Sequence, residues 1–530
     1  MDTAKGAFPL SVAQLDIWMS QKLSPDSAKF NIAEFLEIHG PVDPHLMEVA
    51  LRSVAEESDA VRMRISEGGQ GVAQSIGDLP DRLITYVDCA SESDPWGRAR
   101  QWMLEDLARP LNCARDRLFE YALFRLNDRH FIWYQRYHHL LVDGYSFSLI
   151  ATRFAETYSF LAENGFLPNR APRRVRDLVE YESSYRASDM FSADVEFWRE
   201  YLDRTTWPPD LVRASVETGA VARLSEQINV ADHETLRRIA AGCEAGLAHV
   251  LIAGVAAHLC RLTGNVDVAM RLVVANRRGP LRDVPGMVSN ALPLRLRLQP
   301  QMSFADIVRH VGMELRTVLR RSRLREEDIR RELRFPTENF GPLVNVITFD
   351  YDLRFSGSPV TAHNLTVGPV ADLSYSFFRR SDAQPVDLHF DGNVDFHDSS
   401  ELQARSGHLL GLLHAIAKDP EKPLADVAVL EPSELRRLVA TWNATTTPIP
   451  ADTLSTLFER QAARNGQATA VVCGEQSLSY AELEARANQL AHLLAEQGVG
   501  PEDIVALALP RTSQMTLAQL ATLKAGAAFL

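Results

Sequence analysis

The 530-residue chain is poor in cysteine and lacks the spacings that cysteine-based sites require. Its cysteines are widely scattered and form no C-x-x-C pair; they are Cys89, Cys113, Cys243, Cys260 and Cys473. This distribution disfavours a disulfide framework and a zinc site, and it is typical of reduced, mostly buried thiols in a cytoplasmic protein.

Excess positive charge and long apolar runs are also missing. The formal net charge is -13, so no dominant basic field is available to meet nucleic-acid phosphates. No uninterrupted apolar run approaches the length of a membrane span. The first six residues (M-D-T-A-K-G) do not begin a signal peptide. We therefore expect a soluble cytoplasmic protein with no nucleic-acid and no membrane partner.

The length and composition predict more than one folding unit. Hydrophobic residues make up 46% and charged residues 24% of a chain too long for one ordinary core. A stretch rich in proline and polar residues runs from Thr205 to Gly219. The strongest boundary is the polar, proline-bracketed segment Trp442–Pro450. The last residues, 525–530, are an apolar run that predicts an unfinished domain.

The most informative peptide is Tyr137–Gly144, which carries the pattern H-H-x-x-x-D-G. Residues 131–137 before it are aromatic and β-branched, which favours a strand. Apolar residues after Gly144 recur at helical spacing until Asn164-Gly165. The pattern therefore lies at a strand-to-helix turn. Adjacent residues of an extended segment point to opposite sides, so one histidine should face a site and the other the core.

Three other interpretations of this peptide are weaker. A metal site would use His139 and Asp143 four residues apart, which suits a helix but not this turn, and no third ligand cluster is evident. A serine nucleophile at Ser146 or Ser148 lacks the G-x-S-x-G elbow. Two satisfied core histidines remain the structural alternative, and the complete seven-residue pattern argues against it.

Further motifs occur in order along the chain. They are S-V-A-Q-L-D-I-W at 11–18, D-A-V-R-M-R-I at 59–65 and P-G-M-V-S-N-A-L-P-L at 285–294. Together with H-H-x-x-x-D-G they resemble the condensation domains of nonribosomal peptide synthetases, which belong to the chloramphenicol-acetyltransferase-like superfamily. The second motif departs from the family's H-E-x-L-R-T-x-F pattern because its His-Glu pair is missing. Residues 134–144 and 339–345 carry a closer likeness to the synthetases of siderophores.

The end of the chain resembles the start of an adenylation domain. Leu478–Leu483 with Ala487-Asn488 is similar to that domain's first core motif, and Leu523–Phe529 to the beginning of its second. The nucleotide-binding loops would lie beyond Leu530. The resemblance therefore implies ATP and Mg²⁺ only for a complete adenylation domain.

The resemblance implies a fold class and a division of the chain. We expect an α/β protein with two chloramphenicol-acetyltransferase-like lobes that form a V-shaped pseudo-dimer, at residues 1–175 and 176–440. A linker at 441–450 and a truncated α/β adenylation fragment at 451–530 would follow.

The activity implied is amide formation between two carrier-bound substrates. The donor would be an aryl or acyl thioester on a separate carrier protein, because Met1 lies just before the first motif. The acceptor would be an aminoacyl thioester on a downstream carrier domain, in an initiating module of siderophore type. Phosphopantetheine arms would deliver both substrates, and the fragment itself would bind no cofactor and no metal. The alternatives are a starter acyltransferase that uses acyl-CoA and a catalytically silent carrier-binding module.

The resemblance also assigns the site residues. His139 would be the active-centre group, either a general base or a hydrogen-bonding orienter of the amine, while His138 supports the strand. Asp143 would pair with Arg277, or with Arg278 as the second choice, and shape the loop.

Three further positions have weaker assignments. The N–H of Gly144 would help to hold a developing oxyanion, and Asn290 and Ser146 would line the channel. For Asn290 a strand residue with a satisfied amide is an equal alternative. The charge run Arg320–Arg334 offers a docking surface for acidic carriers, although mixed signs at helical spacing are also typical of a solvated face.

Overall fold

The computed structural model describes residues 6–68, 71–203, 221–334, 340–347, 352–379, 385–430, 432–449 and 451–530. The predicted connection Thr205–Gly219 lies outside the described residues, as do Asn339 and Pro450. Contacts divide the chain into two compact units, Met1–Pro432 and Ser433–Leu530. The predicted linker began eight residues later than this division, at residue 441.

The first unit combines strands and helices throughout its length. Its strands are β1 (Phe8–Pro9), β2 (Asn31–Ile38), β3 (Met63–Gly68), β4 (Gly71–Ile76), β5 (Ile84–Asp88), β6 (Phe119–Asn127), β7 (His130–His138), β8 (Val221–Ile228), β9 (Asp267–Val274), β10 (Asn290–Arg297), β11 (Leu343–Ile347), β12 (Arg354–Phe355), β13 (Ser358–Thr366), β14 (Leu373–Phe378) and β15 (Val386–Asn393). Its helices are α1 (Val12–Leu23), α2 (Pro44–Glu57), α3 (Pro95–Leu107), α4 (Gly144–Asn164), α5 (Val175–Arg186), α6 (Asp189–Asp203), α7 (Val230–Gly242), α8 (Leu247–Thr263), α9 (Phe304–Leu319), α10 (Glu326–Leu333) and α11 (Ser399–Lys418).

Two six-stranded sheets form two lobes. The first sheet has the order β12-β13-β2-β7-β6-β5, and only its β5–β6 pair is parallel. The second has the order β10-β9-β11-β14-β15-β8, with β11 parallel to both neighbours. Each sheet packs against helices through its own core. Trp133 and Phe154 lie in the first core, and Leu251, Val308 and Tyr375 lie in the second.

One segment crosses from the second lobe to the first. Strand β13 pairs antiparallel with β2 in the first sheet, although β11 before it and β14 after it both belong to the second sheet. Phe355 and Ala362 are buried in the first core. A division of the chain at 175/176 therefore does not describe this segment, because its backbone hydrogen bonds are satisfied in the lobe that precedes it in sequence.

Local signals in the sequence explain several helix ends. Ser11 accepts a hydrogen bond from the Gln14 N–H, and the Gln14 side chain accepts one from the Ser11 N–H, which forms a capping box at the start of α1. Helix α4 ends as predicted at Gly165, which adopts φ 74°.

The predicted charge run at Arg320–Arg334 is largely folded into the first unit. Glu326 and Asp328 are buried. Arg271 donates to Glu326 at 2.8 Å, and Arg186 donates to Asp328 at 2.6 Å. Glu326 and Asp328 therefore hold α10 in place, whereas Glu332 of the same run is exposed.

The second unit, Ser433–Leu530, has a small core of its own. Its helices are α12 (Pro432–Arg436, which begins one residue before the division), α13 (Leu454–Asn465), α14 (Tyr480–Glu496) and α15 (Ser513–Lys524), and its strands are β16 (Thr469–Cys473), β17 (Gln476–Ser479), β18 (Ile504–Val505) and β19 (Ala528–Phe529). Leu483, Ala487 and Leu520 are buried together. A capping box of Ser479 and Glu482 opens α14.

No single helix in the described part of the chain has the length and apolar composition needed to cross a bilayer. Helices α7 and α8 meet that requirement only as a pair, and they are bent by 105° where they meet.

Candidate active site

The H-H-x-x-x-D-G peptide occupies the predicted strand-to-helix turn. His138 is the last residue of β7, and Gly144 is the first of α4. Between them, the Leu141 N–H donates to the His138 carbonyl at 2.9 Å, which closes a turn. Because β7 lies in the middle of the first sheet, the turn is held by well-buried neighbours on both sides.

The first histidine, His138, is a buried structural residue. The Leu140 N–H donates to its Nδ1 at 3.2 Å, so Nδ1 carries no proton and the proton of the neutral ring lies on Nε2. Nε2 is 3.3 Å from Oε1 of Gln21, which accepts that proton's hydrogen bond. Burial lowers the pKa of His138 to about 3. The ring is therefore neutral and fully used by its neighbours.

The second histidine, His139, has the opposite arrangement. Its Nδ1 lies 3.0 Å from the Val142 carbonyl oxygen. Because a carbonyl can only accept, Nδ1 carries the proton and Nε2 presents a lone pair. The residue is partly exposed, and its backbone N–H donates to Phe30 O at 2.8 Å. Burial lowers the pKa of His139, although the charge of Asp143 acts in the other direction. A neutral ring with a free Nε2 is equipped to accept a proton.

Asp143 is the centre of a buried ion-pair network. Arg277 donates to its two oxygens at 2.8 and 2.9 Å, and the two side chains are 0% and 2% exposed. The N–H groups of Val288 and Ser289 donate to Oδ2, and the Ser146 N–H donates to Oδ1. Burial alone would raise the pKa of Asp143, but Arg277 and these hydrogen bonds lower it. The carboxylate is saturated with donors and has no proton to give.

Arg277, and not Arg278, makes this pair. Arg278 donates to Leu319 O and Ser322 Oγ, both at 3.1 Å. The resemblance to the family favoured Arg277 over Arg278 as the partner of Asp143. The structure places Arg277 at Asp143.

Ser146 and Asn290, which were expected to line the channel, are buried in polar networks. Ser146 is 0% exposed. Its Oγ lies 2.9 Å from Asp143 and accepts from Arg277 Nη2 at 2.8 Å. Asn290 is 4% exposed and donates to Ser322 O and Leu324 O. For Asn290 these contacts fit the alternative of a strand residue with a satisfied amide. The hydroxyl of Ser146 likewise has its partners inside the protein.

Gly144 was expected to contribute its backbone N–H to the site. It lies outside the positive-φ region, so the turn does not require glycine for its backbone angle. It is exposed, and an added Cβ would meet nothing within 4 Å. Gly144 is the first residue of α4, and the first N–H groups of a helix have no intrahelical partner.

Two glutamines on α1 hold the turn, and neither role was predicted from the sequence. Gln14 Nε2 donates to the Leu140 carbonyl at 3.0 Å. Gln21 Nε2 donates to the Ser24 and Ser27 carbonyls, both at 3.0 Å, which orients its Oε1 toward His138. Gln14 belongs to a motif whose order could be recognised, whereas Gln21 has only its helical spacing as a signal.

The chain matches two known protein families. Residues 4–439 match the model described as "Condensation domain", and residues 458–530 match the one described as "AMP-binding enzyme". The chain belongs to the condensation-domain family of nonribosomal peptide synthetases. Members of this family are acyltransferases that form amide bonds.

Curated relatives of this condensation domain are multidomain synthetases. A dimodular nonribosomal peptide synthase of Bacillus subtilis is 36% identical over 100% of this chain and 22% of its own length. Enterobactin synthase component F of Escherichia coli O157:H7 is 32% identical over 98% of this chain and 41% of its own length. The chain thus spans less than half of these relatives.

Solved structures agree with the two-lobed α/β architecture. The starter condensation domain of rhizomide synthetase RzmA, in complex with C8-CoA, matches with a TM-score of 0.75 and 33% identity, over 80% of this chain and 98% of the other. The first condensation domain of the calcium-dependent antibiotic synthetase matches with a TM-score of 0.75 and 30% identity, over 80% and 99%. The fold is therefore the chloramphenicol-acetyltransferase-like fold of condensation domains.

This family works with substrates carried on phosphopantetheine arms. In the described part of the chain, no group of three or more His, Cys, Asp or Glu side chains is arranged to hold a metal ion.

Proposed function

We propose that this condensation domain joins an aryl or acyl thioester to the α-amine of an aminoacyl thioester, in an initiating module of siderophore type. The observation that carries the proposal is His139, whose Nδ1 is bound to Val142 O at 3.0 Å and whose Nε2 is free. A thioester is already activated, so alignment and the management of one proton are the main tasks left to the protein.

The proposed reaction balances with one base. The amine nitrogen attacks the donor carbonyl, a C–N bond forms, and the C–S bond to the donor arm breaks. His139 Nε2 accepts a hydrogen bond or a proton from the amine, and that proton leaves with the donor thiol. The N–H of Gly144 is proposed to donate to the oxyanion that develops on the carbonyl.

The remaining predicted site residues are proposed to maintain geometry. Asp143 and Arg277 hold the start of α4 against the segment 286–289 through the bonds described above. His138 fixes the end of β7. None of these groups presents a free base to the substrate.

The proposed donor carrier is a separate protein, and the proposed acceptor is a downstream carrier domain. The similarity to enterobactin synthase component F, at 32% identity, supports the siderophore type of module. A second candidate is acyl-CoA as the donor, because the similar starter domain of rhizomide synthetase was solved with C8-CoA.

The test supplies one acceptor, a carrier loaded with an amino acid, and two donors. The donors are a carrier loaded with an aryl group and the free acyl-CoA, and amide formation is followed by intact-protein mass spectrometry. We expect amide from the loaded carrier and a loss of amide in His139→Ala. Equal turnover of acyl-CoA would favour the second candidate, and full activity of His139→Ala would remove the role given to this residue. Carrier binding without amide from any donor would indicate the silent module.

A further inference from the structure

The loop between β13 and β14 brings a glycine onto the reactive edge of His139. Gly368 lies in this loop, and a Cβ built on it would be 3.2 Å from His139 Cδ2 and 3.6 Å from His139 Nε2. The same Cβ would be 3.5 Å from Ile32 Cγ2. The bare Cα of Gly368 therefore packs beside the ring edge that carries the lone pair.

The backbone at this point also demands glycine. Gly368 has φ +101°, a region that residues with a Cβ rarely occupy. The conformation is held from both ends of the loop. The Gly368 N–H donates to Thr366 Oγ1 at 3.3 Å, and Asn393 Nδ2 donates to Ala371 O at 3.1 Å.

A buried pair fixes the end of the loop at the second sheet. His397 is 4% exposed, and its Nε2 lies 2.7 Å from Asp372 Oδ1. Since β13 belongs to the first sheet and β14 to the second, the loop is tied to both lobes. Its position over His139 is therefore set by the crossover of the chain.

We propose that Gly368 is a positioning residue for His139, which fixes the imidazole and keeps Nε2 open to the acceptor amine. The ring is held at Nδ1 by Val142 O and along its Cδ2–Nε2 edge by Gly368. A side chain at 368 would take the space through which the amine approaches Nε2. This inference rests on the proposed function of His139.

The chain offers a matched control at the other end of the same strand. Gly357 also has a positive φ, +83°, but a Cβ there would meet nothing within 4 Å. Gly357→Ala and Gly368→Ala thus share the backbone strain of a Cβ at positive φ, and only the second brings a methyl group to His139.

The direct test is carbethoxylation with diethyl pyrocarbonate, which modifies neutral, accessible histidine nitrogens. The modification is measured by tandem mass spectrometry of the peptide that contains both His138 and His139. In wild-type protein we expect His139 to react and His138 to stay protected, because its nitrogens are bound. In Gly368→Ala the reaction at His139 should slow several-fold, while Gly357→Ala should match wild type. We also expect amide formation to fall about 10- to 100-fold in Gly368→Ala only.

A second variant covers the case in which Gly368→Ala folds poorly. Gly368→Asn introduces a larger side chain, and asparagine tolerates a positive φ better than alanine does. Unchanged labelling of His139 in a variant that still protects His138 would overturn the proposal. Exposure of His138 in both variants would also overturn it, because Gly368 would then support the whole turn. A wild-type protein that forms no amide would contradict the proposed function but leave the labelling pattern intact.

Discussion

The Asp143–Arg277 pair makes a quantitative prediction about stability. Asp143→Ala removes the acceptor for both guanidinium bonds and for the N–H groups of Val288, Ser289 and Ser146. It also leaves Arg277, 2% exposed, as a buried charge without a counterion. Removing one partner of such a pair costs about 3–5 kcal/mol, most of it the cost of the remaining charge.

The double variant distinguishes this cause from simple loss of contacts. Arg277→Ala alone should cost a similar amount, because Asp143 is then the unpaired buried charge. In Asp143→Ala/Arg277→Ala neither charge remains, so we expect the combined loss to fall short of the sum by about 2 kcal/mol. An exposed pair of the first unit, Arg125 with Asp88 at 2.8 Å, is the control. Asp88→Ala should cost at most about 1 kcal/mol.

Urea unfolding followed by tryptophan fluorescence measures these free energies. Trp133 and Trp198 are fully buried in the first unit and report its unfolding. A cost below about 1 kcal/mol for Asp143→Ala, or additivity of the two variants within about 0.5 kcal/mol, would refute the reasoning. Loss of condensation activity in Asp143→Ala would by itself show only that the loop has moved.

Three further predictions concern the histidines. His139→Gln should lower the rate of amide formation by about 10²- to 10⁴-fold with loaded carriers, while urea unfolding shows a free energy close to that of wild type. Because the neutral ring is the active form and the pKa of His139 is lowered, this group should reduce kcat/KM only below the ordinary histidine pKa of about 6.5. The acceptor α-amine, with an ordinary pKa of about 7.7–8.0, also titrates, so kcat/KM is first divided by the neutral fraction of the amine. A midpoint above about 6.5 in the corrected profile would contradict the assignment. Burial lowers the pKa of His138 and of His258 to about 3. Below about pH 6.5 the unfolded chain therefore binds more protons than the folded chain. Each ring should reduce the unfolding free energy by up to about 1.4 kcal/mol per pH unit as the pH falls toward 3. His258 has no hydrogen-bond partner among the described residues, so His258→Leu should have an unfolding free energy close to that of wild type at pH 7. The unfolding free energy of this variant should fall less steeply than that of wild type as the pH is lowered. An unchanged slope against pH would contradict this explanation.

Much of the candidate site could be predicted from local sequence. The strand before His138, the helix after Gly144 and the capping box at Ser11 depend on residues within a few positions of one another. Such signals act through backbone geometry and short-range hydrogen bonds, so the chain itself contains the information. The motif order along the chain was sufficient to predict the family, which the family match confirmed.

The roles of the two histidines required the tertiary structure. The sequence pattern shows only that adjacent side chains point apart, while the tautomers follow from Leu140 N–H on one ring and Val142 O on the other. Ser146 and Asn290 were assigned to the channel because the pattern shows polarity but not partners. Their partners, Gly286 and Leu324 among them, come from the second lobe.

The sequence by itself determined the elements of the H-H-x-x-x-D-G turn, the presence of two domain types and the two histidines from which the candidate was chosen. Only the tertiary structure decided what surrounds His139. The crossover of β13 into the first sheet carries Gly368 to a ring 229 positions earlier in the chain. No periodicity or motif encodes a contact of that separation, because it depends on a segment between two strands of the second sheet that pairs with the first sheet.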